Sequence, residues 1–192
     1  DGIKENVVSI RGGFEAAIGN GKIVAEKDAD VIILCLGEDR NLTGEANSIA
    51  NIEIEPSQLK IAEEAAKLGK PVVALLAFGR PRAIERLEPL ADAMVYIWNP
   101  GMRAGNAVCD IVFGDENPSG RLPMTLPRTT GQIPIYYNAT PSGRDVNGYY
   151  YSEEAKGAFG VGLTESYRDV LSSPMYRFGF GLSYSKFELS GF

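Results

Sequence analysis

Two short runs govern what this chain can fold into. VIILCLG at residues 31–37 and VVALLAF at residues 72–78 are continuous apolar stretches rich in branched side chains. A strand with one wet face carries a polar residue at every second position, so unbroken runs of this length belong to strands buried on both faces. Between them, PSQLKIAEEAAKL (56–68) sets Leu59, Ile61, Ala62, Ala65, Ala66 and Leu68 at helical spacing. Pro56 is tolerated in the first turn of such a helix and Gly69 lies beyond its end. A third apolar run, 93–98, follows the polar-apolar segment RPRAIERLEPLAD, which reads as a second crossover helix. The order strand, helix, strand, helix, strand predicts an α/β fold: a mostly parallel sheet with helices on both faces. Functional loops of such sheets gather beyond the carboxyl ends of the strands, which here means residues 38–45, 79–82 and 99–105.

The remainder of the chain is less periodic. GNAVCDIVF (105–113) reads as a further helix, and GDENPSGRLPMTLPRTTGQIP after it is punctuated by Pro and Gly as an ordered loop crossing the surface. A polar, tyrosine-rich tract runs from about residue 137 to 173, where Tyr149, Tyr150 and Tyr151 are read as packing residues more readily than as sugar or partner contacts. YRFGFGLSYSKFELSGF then reads as a turn followed by an alternating strand.

Composition narrows the chemistry. The 192 residues suit one domain with a sizeable core. A net charge of -6 with scattered basic residues carries no footprint for a phosphate backbone, so no nucleic-acid partner is expected. No histidine occurs, which removes Ser-His and Cys-His nucleophile systems and makes a carboxylate the expected general acid or base. Cys35 and Cys109 lie in apolar runs and are read as buried free thiols in preference to a disulfide. The Gly-rich pieces GRP, NPG and FGFG match no phosphate-binding fingerprint, and neither a cofactor nor a metal is expected. The longest apolar stretch falls well short of the roughly 20 residues that cross a bilayer, so no membrane partner is expected either. No charged-then-apolar leader opens at Asp1, and the chain is read as a processed or truncated product.

The candidate chemistry lies in GEDRNLTGEANS, where Glu38 and Glu45 follow the first buried strand. A glycosidase needs two carboxyl groups flanking the scissile bond, one to protonate the leaving oxygen and one as nucleophile or base. Glu45, in mid-loop, is the better donor candidate; Glu38 abuts the strand end. From spacing alone the same loop also fits an ordinary solvated turn. Trp98 invites a sugar-stacking role, with core or interface packing the favoured reading. Arg80 and Arg82 suit either sugar hydroxyls or salt bridges, and substrate-binding residues stay unassigned.

Taken in order, VIILCLGE, TGEANS, EPSQ, GKPVVALLAFGRP, ADAMVYIWNPGMRAGNAVCDIVFGDENPSGRLPMTLPR, GQIPIYY and YRFGFGLSYSKFELS cover nearly the whole chain. This pattern resembles the C-terminal α/β sandwich domain of family 3 glycoside hydrolases of the β-glucosidase type. The resemblance implies a retaining, exo-acting enzyme that hydrolyses terminal β-D-glucosyl residues. Its Asp nucleophile would belong to a preceding (β/α)8 barrel of the same protein, and its acid/base Glu to this domain, at Glu45 in TGEANS. It also implies a β-glucoside or oligosaccharide substrate and a periplasmic or secreted location. A carboxyl group partly shielded from water beside another carboxylate stays protonated to higher pH, as a general acid requires.

Two departures accompany the match. Many members carry Asp-Arg or Ser-Arg after the acid/base Glu, whereas Ser48 is followed here by Ile49. The family domain opens with an apolar strand leading into a helix, and DGIKENV resembles that helix, so the first strand is expected to be missing. A strand without its neighbour exposes unpaired backbone groups, and the isolated chain is expected to depend on another piece of polypeptide and to be inactive alone. The alternatives are a non-catalytic carbohydrate-binding or scaffolding module and a β-xylosidase or β-N-acetylglucosaminidase relative.

Overall fold

The computed structural model describes residues 4–138, 167, 169–188 and 190–191. Its centre is a parallel sheet of β1 (Ile32–Gly37), β2 (Val72–Ala77) and β3 (Ala93–Tyr96) in that order, with β2 in the middle. β1 and β2 pair over their whole length, Ile32 opposite Val72 through Gly37 opposite Ala77, so the two strands end level. Among the described residues no strand occupies the free edge of β1.

Strand alternation sends side chains to two separate cores. On one face Ile32, Leu34, Leu36, Val72, Ala74 and Leu76 pack with Leu59, Ala62 and Ala65 of helix α2 (Pro56–Ala66). On the other, Leu75 meets Phe14 of helix α1 (Ile10–Ile18) and Val108 and Cys109 of helix α3 (Ala104–Phe113). The two layers of helices around one sheet are the expected sandwich. Each fully buried aliphatic or phenylalanine side chain contributes roughly 1.5–3 kcal/mol, which makes these faces the main source of stability.

The helices over the second face touch backbone to backbone. The hydroxyl of Ser9 accepts the Gly12 N–H at 3.0 Å to start α1, and the Gly105 N–H donates to the Val8 carbonyl at 3.0 Å. A Cβ on Gly13 would lie 2.3 Å from the Gly105 carbonyl oxygen, and one on Gly105 would lie 2.1 Å from that of Ser9. Only glycine permits this approach. The first α-helix begins at Ile10, and of DGIKENV, expected to be helical, the described residues 4–7 contain only a single 3-10 turn at Lys4–Asn6.

Three further expectations change. The segment after β2 is no crossover helix: the Ala83 N–H donates to the Ile52 carbonyl at 2.9 Å, drawing the chain inward, and only Glu88–Leu90 forms a 3-10 turn. Pro81 and Pro89 lack the donors that a helix through this stretch would use. The loop after α3 does more than cross the surface, since Leu126 is buried against Tyr176 through an isolated bridge. Residues 182–188 form no strand; the preceding turn is tied back by bonds between Leu122 and both Gly179 and Phe180. Of the tyrosine-rich tract, residues 139–166, including Tyr149, Tyr150 and Tyr151, lie outside the described residues.

Cys109 is buried as expected, but Cys35 is exposed. It projects from β1 towards the α1/α3 layer, which covers Leu75 of β2 and part of Ile33 of β1 but not Cys35.

Candidate functional site

Because β1 and β2 end in register, the charged residues that follow them must meet. The chain leaves β1 at Gly37, whose N–H donates to Gln58 Oε1 at 2.9 Å and whose carbonyl accepts from Gln58 Nε2 at 2.7 Å. This side chain from α2 completes the hydrogen bonding of the last strand residue. The next residue, Glu38, has a fully buried side chain. Its Oε2 accepts the Gly79 N–H at 3.0 Å, and its Oε1 lies 2.9 Å from Arg82 Nη1 and 3.0 Å from Arg80 Nε. The Arg82 contact is a hydrogen bond; Arg80 Nε pairs by charge alone, without hydrogen-bond alignment.

Arg82 is 1 % exposed, the least expected burial in the chain. Its Nη2 donates to Glu55 Oε1 at 2.6 Å and to the Glu53 carbonyl, and its guanidinium lies over the Phe78 ring. The Tyr96 hydroxyl accepts the Arg82 N–H at 3.2 Å and donates to the Arg80 carbonyl at 2.8 Å. Burial pushes the Tyr96 hydroxyl above the ordinary phenol range, and the nearby Glu38 carboxylate adds to the rise. Two carboxylates and two guanidinium groups thus close a cluster whose centre, Glu38 and Arg82, is buried, while Arg80 and Glu55 keep part of their surface in water. Desolvation of such ions costs several kcal/mol each, so the cluster adds little net stability and its effect is to fix geometry.

Beyond it, residues 39–47 form a loop pinned at several points. Asp39 Oδ1 accepts from the Asn41 N–H at 2.8 Å, and Asn47 Nδ2 donates to the carbonyls of Thr43 at 3.1 Å and Glu45 at 3.3 Å. Arg80 Nη2 donates to the Leu42 carbonyl and, at 2.8 Å, to that of Asn47. Thr43 sits on the bare Cα of Gly79, where a Cβ would lie 1.9 Å from Thr43 Oγ1. Glu45 is exposed on this loop, between Gly44 at φ 95° and Ala46 at φ 64°. Left-handed backbone on both sides holds Glu45 on a sharp turn, and the non-glycine Ala46 is a conformation that surrounding contacts must support.

The structure therefore separates the two candidate carboxylates. Glu38 is committed to arginines inside the protein, while Glu45 enters no ion pair among the described residues. Trp98, half-buried at φ 51°, packs against Tyr96 with ring centroids 4.2 Å apart. Arg80 and Arg82 take the salt-bridge role. Sequence reasoning did not include Glu55, Gln58 and Tyr96 in the site, although a glutamate directly after one buried strand and two arginines after its neighbour are the signal of such a cluster. Among the described residues no group of His, Cys, Asp and Glu could hold a metal ion. The pocket formed by Gly69, Pro71, Leu90 and Asp92 lies at the opposite, amino-terminal end of the strands.

Fold and site together define an α/β sandwich domain that presents the accessible carboxylate of Glu45 on a loop beyond the carboxyl ends of parallel strands. The chain belongs to glycosyl hydrolase family 3: residues 1–184 match the family described as glycosyl hydrolase family 3 C-terminal domain. It is 38% identical over 186 residues to a periplasmic beta-glucosidase of Salmonella typhimurium, covering 97% of this chain and 23% of the relative. A beta-xylosidase of Formosa agariphila is 34% identical, with 92% of this chain and 21% of the relative covered. Among solved structures, the beta-glucosidase of Listeria innocua in complex with gluconolactone superimposes with a TM-score of 0.84 at 34% identity, over 97% of this chain and 27% of that one. The chain thus spans about a quarter of the length of these relatives. No helix among the described residues is long and apolar enough to cross a membrane.

Proposed function

We propose that this chain is the α/β sandwich domain of a retaining, exo-acting β-glucosidase and that Glu45 is its acid/base residue. The observation that carries the assignment is the contrast between two nearby carboxylates. Glu38 is sealed into ion pairs, and Glu45 stands exposed on a pinned loop at the end of the sheet where ligands of such folds bind. In this reading Glu45 protonates the departing oxygen and then, as its conjugate base, activates the water that releases the sugar. The second carboxylate is an Asp of a (β/α)8 barrel elsewhere in the same polypeptide, consistent with a chain that spans only 23% of its Salmonella relative.

The relatives support the substrate class: Listeria innocua beta-glucosidase structures hold glucose and gluconolactone, in keeping with a terminal β-glucosyl group. The periplasmic relative supports an exported enzyme. Aryl β-glucosides and β-xylosides assayed side by side with the full-length enzyme would separate the glucosidase reading from the xylosidase one.

Glu45→Ala in the full-length enzyme is expected to slow hydrolysis of aryl glucosides with poor leaving groups by roughly 10²–10⁴-fold, the usual contribution of a general acid. Substrates whose leaving group needs no proton should be slowed much less in the glycosylation step, and azide should partly restore turnover. A uniform loss across leaving groups with no azide rescue would remove Glu45 from this role. Robust turnover by the isolated chain would overturn the division of the site between domains.

A further inference from the structure

The loop carrying Glu45 holds itself together by local bonds, but those bonds do not attach it to the rest of the domain. Asp39 binds Asn41, and Asn47 binds the carbonyls of Thr43 and Glu45, all within the loop. Among the described residues, Arg80 is the one side chain outside residues 39–47 that donates hydrogen bonds into the loop region. Its acceptors are the carbonyl of Leu42, three residues before Glu45, and that of Asn47, two residues after it. One guanidinium nitrogen therefore ties the two ends of the turn on which Glu45 stands.

The guanidinium is itself held. Its Nε lies 3.0 Å from Glu38 Oε1, and that carboxylate is fixed by the Gly79 N–H and by buried Arg82. The Arg80 carbonyl accepts from the Tyr96 hydroxyl at 2.8 Å, so the backbone from which the side chain springs is also fixed. Thr43 packed on Gly79 brings the loop within reach. A planar, permanently charged fork can face a carboxylate with one nitrogen and two carbonyls with another; an ammonium on a flexible stem cannot hold the same arrangement.

We propose that Arg80 is a positioning residue that fixes the Glu45 loop relative to the end of the sheet. Its catalytic consequence rests on the reading of Glu45 as proton donor. A general acid must lie within hydrogen-bond reach of the leaving oxygen, and displacement by about 1 Å costs on the order of 10²-fold in rate. Arg80 needs no contact with substrate to exert that effect.

The test uses the full-length enzyme with Arg80→Met and Arg80→Lys, alongside Glu45→Ala, on aryl β-glucosides graded by leaving-group pKa. For Arg80→Met the loss in kcat/KM is expected to grow with leaving-group pKa, from little change for a dinitrophenyl glucoside to roughly 10–10²-fold for a poor leaving group. Arg80→Lys should fall between it and the wild type, and it carries the test if the Met variant does not fold. Equal losses across the series, or a raised KM with unchanged kcat, would overturn the positioning role. Amide exchange of residues 40–48 reads the clamp without reference to chemistry: it should quicken in either Arg80 variant, and unchanged exchange overturns the proposal. If Glu45→Ala shows no dependence on leaving group, the donor assignment fails by itself and the exchange result decides the clamp.

Discussion

Removing the Glu38 carboxylate would leave Arg82, 1 % exposed, with Glu55 as its single charge partner. Breaking one side of a buried ion pair costs about 3–5 kcal/mol, because the remaining charge cannot recover its water. Glu38→Ala is therefore expected to lower the domain's unfolding free energy, measured by urea titration, by an amount in that range. Glu45→Ala, at an exposed site, should move it by no more than about 0.5 kcal/mol. The pair separates stability from chemistry within one loop. Tyr96 adds a pH dependence at the opposite extreme from carboxylates. Its hydroxyl is held neutral by burial in the folded state, while an unfolded tyrosine ionises near pH 10. The unfolded chain then binds fewer protons than the native one, so the contribution is fully present below about pH 10 and falls away as pH rises towards the higher folded value. Denaturation midpoints followed from pH 8 to 11 should decline, and Tyr96→Phe should flatten that decline while losing the hydrogen bond to the Arg80 carbonyl.

At the scale of elements, the contact between α1 and α3 is the least forgiving. A methyl group on Gly13 or Gly105 would meet backbone atoms at 2.3 or 2.1 Å, and backbone cannot swing aside as a side chain can. Gly105→Ala is expected to destabilise the domain by about 1–3 kcal/mol through separation of the helices, measurable as a lower thermal midpoint. Nothing in local sequence announces that contact, since glycines within helical patterns look the same whether they face solvent or another helix. The strands were legible because burial on both faces leaves an unbroken apolar run, and α2 because its apolar residues recur at helical spacing. The stretch after β2 misled for a physical reason: RPRAIERLEPLAD has helical spacing, but its apolar residues Ile84 and Leu87 are buried by a chain that bridges to Ile52. Tertiary pairing overrode local pattern. Cys35 misled similarly, because an apolar neighbourhood in sequence does not show how far the covering helices extend.

At the scale of the whole molecule, the domain is one part of a larger polypeptide in its relatives, spanning 23% of the Salmonella protein. Glu45 could be proposed from the motif around it, whereas the fate of Glu38 is legible only once the strands are paired, because it depends on two arginines more than 40 residues further along the chain that parallel register brings beside it. Loop position is set from outside the loop, by groups that bind its main chain. Arg80 grips the carbonyls of Leu42 and Asn47, and every residue type has a carbonyl. Such an anchor is indifferent to the side chains it passes between. Positions around Glu45 whose side chains bind nothing, such as Leu42, are thus open to recoding, by drift or by a mutant library, while the proposed proton donor keeps its place.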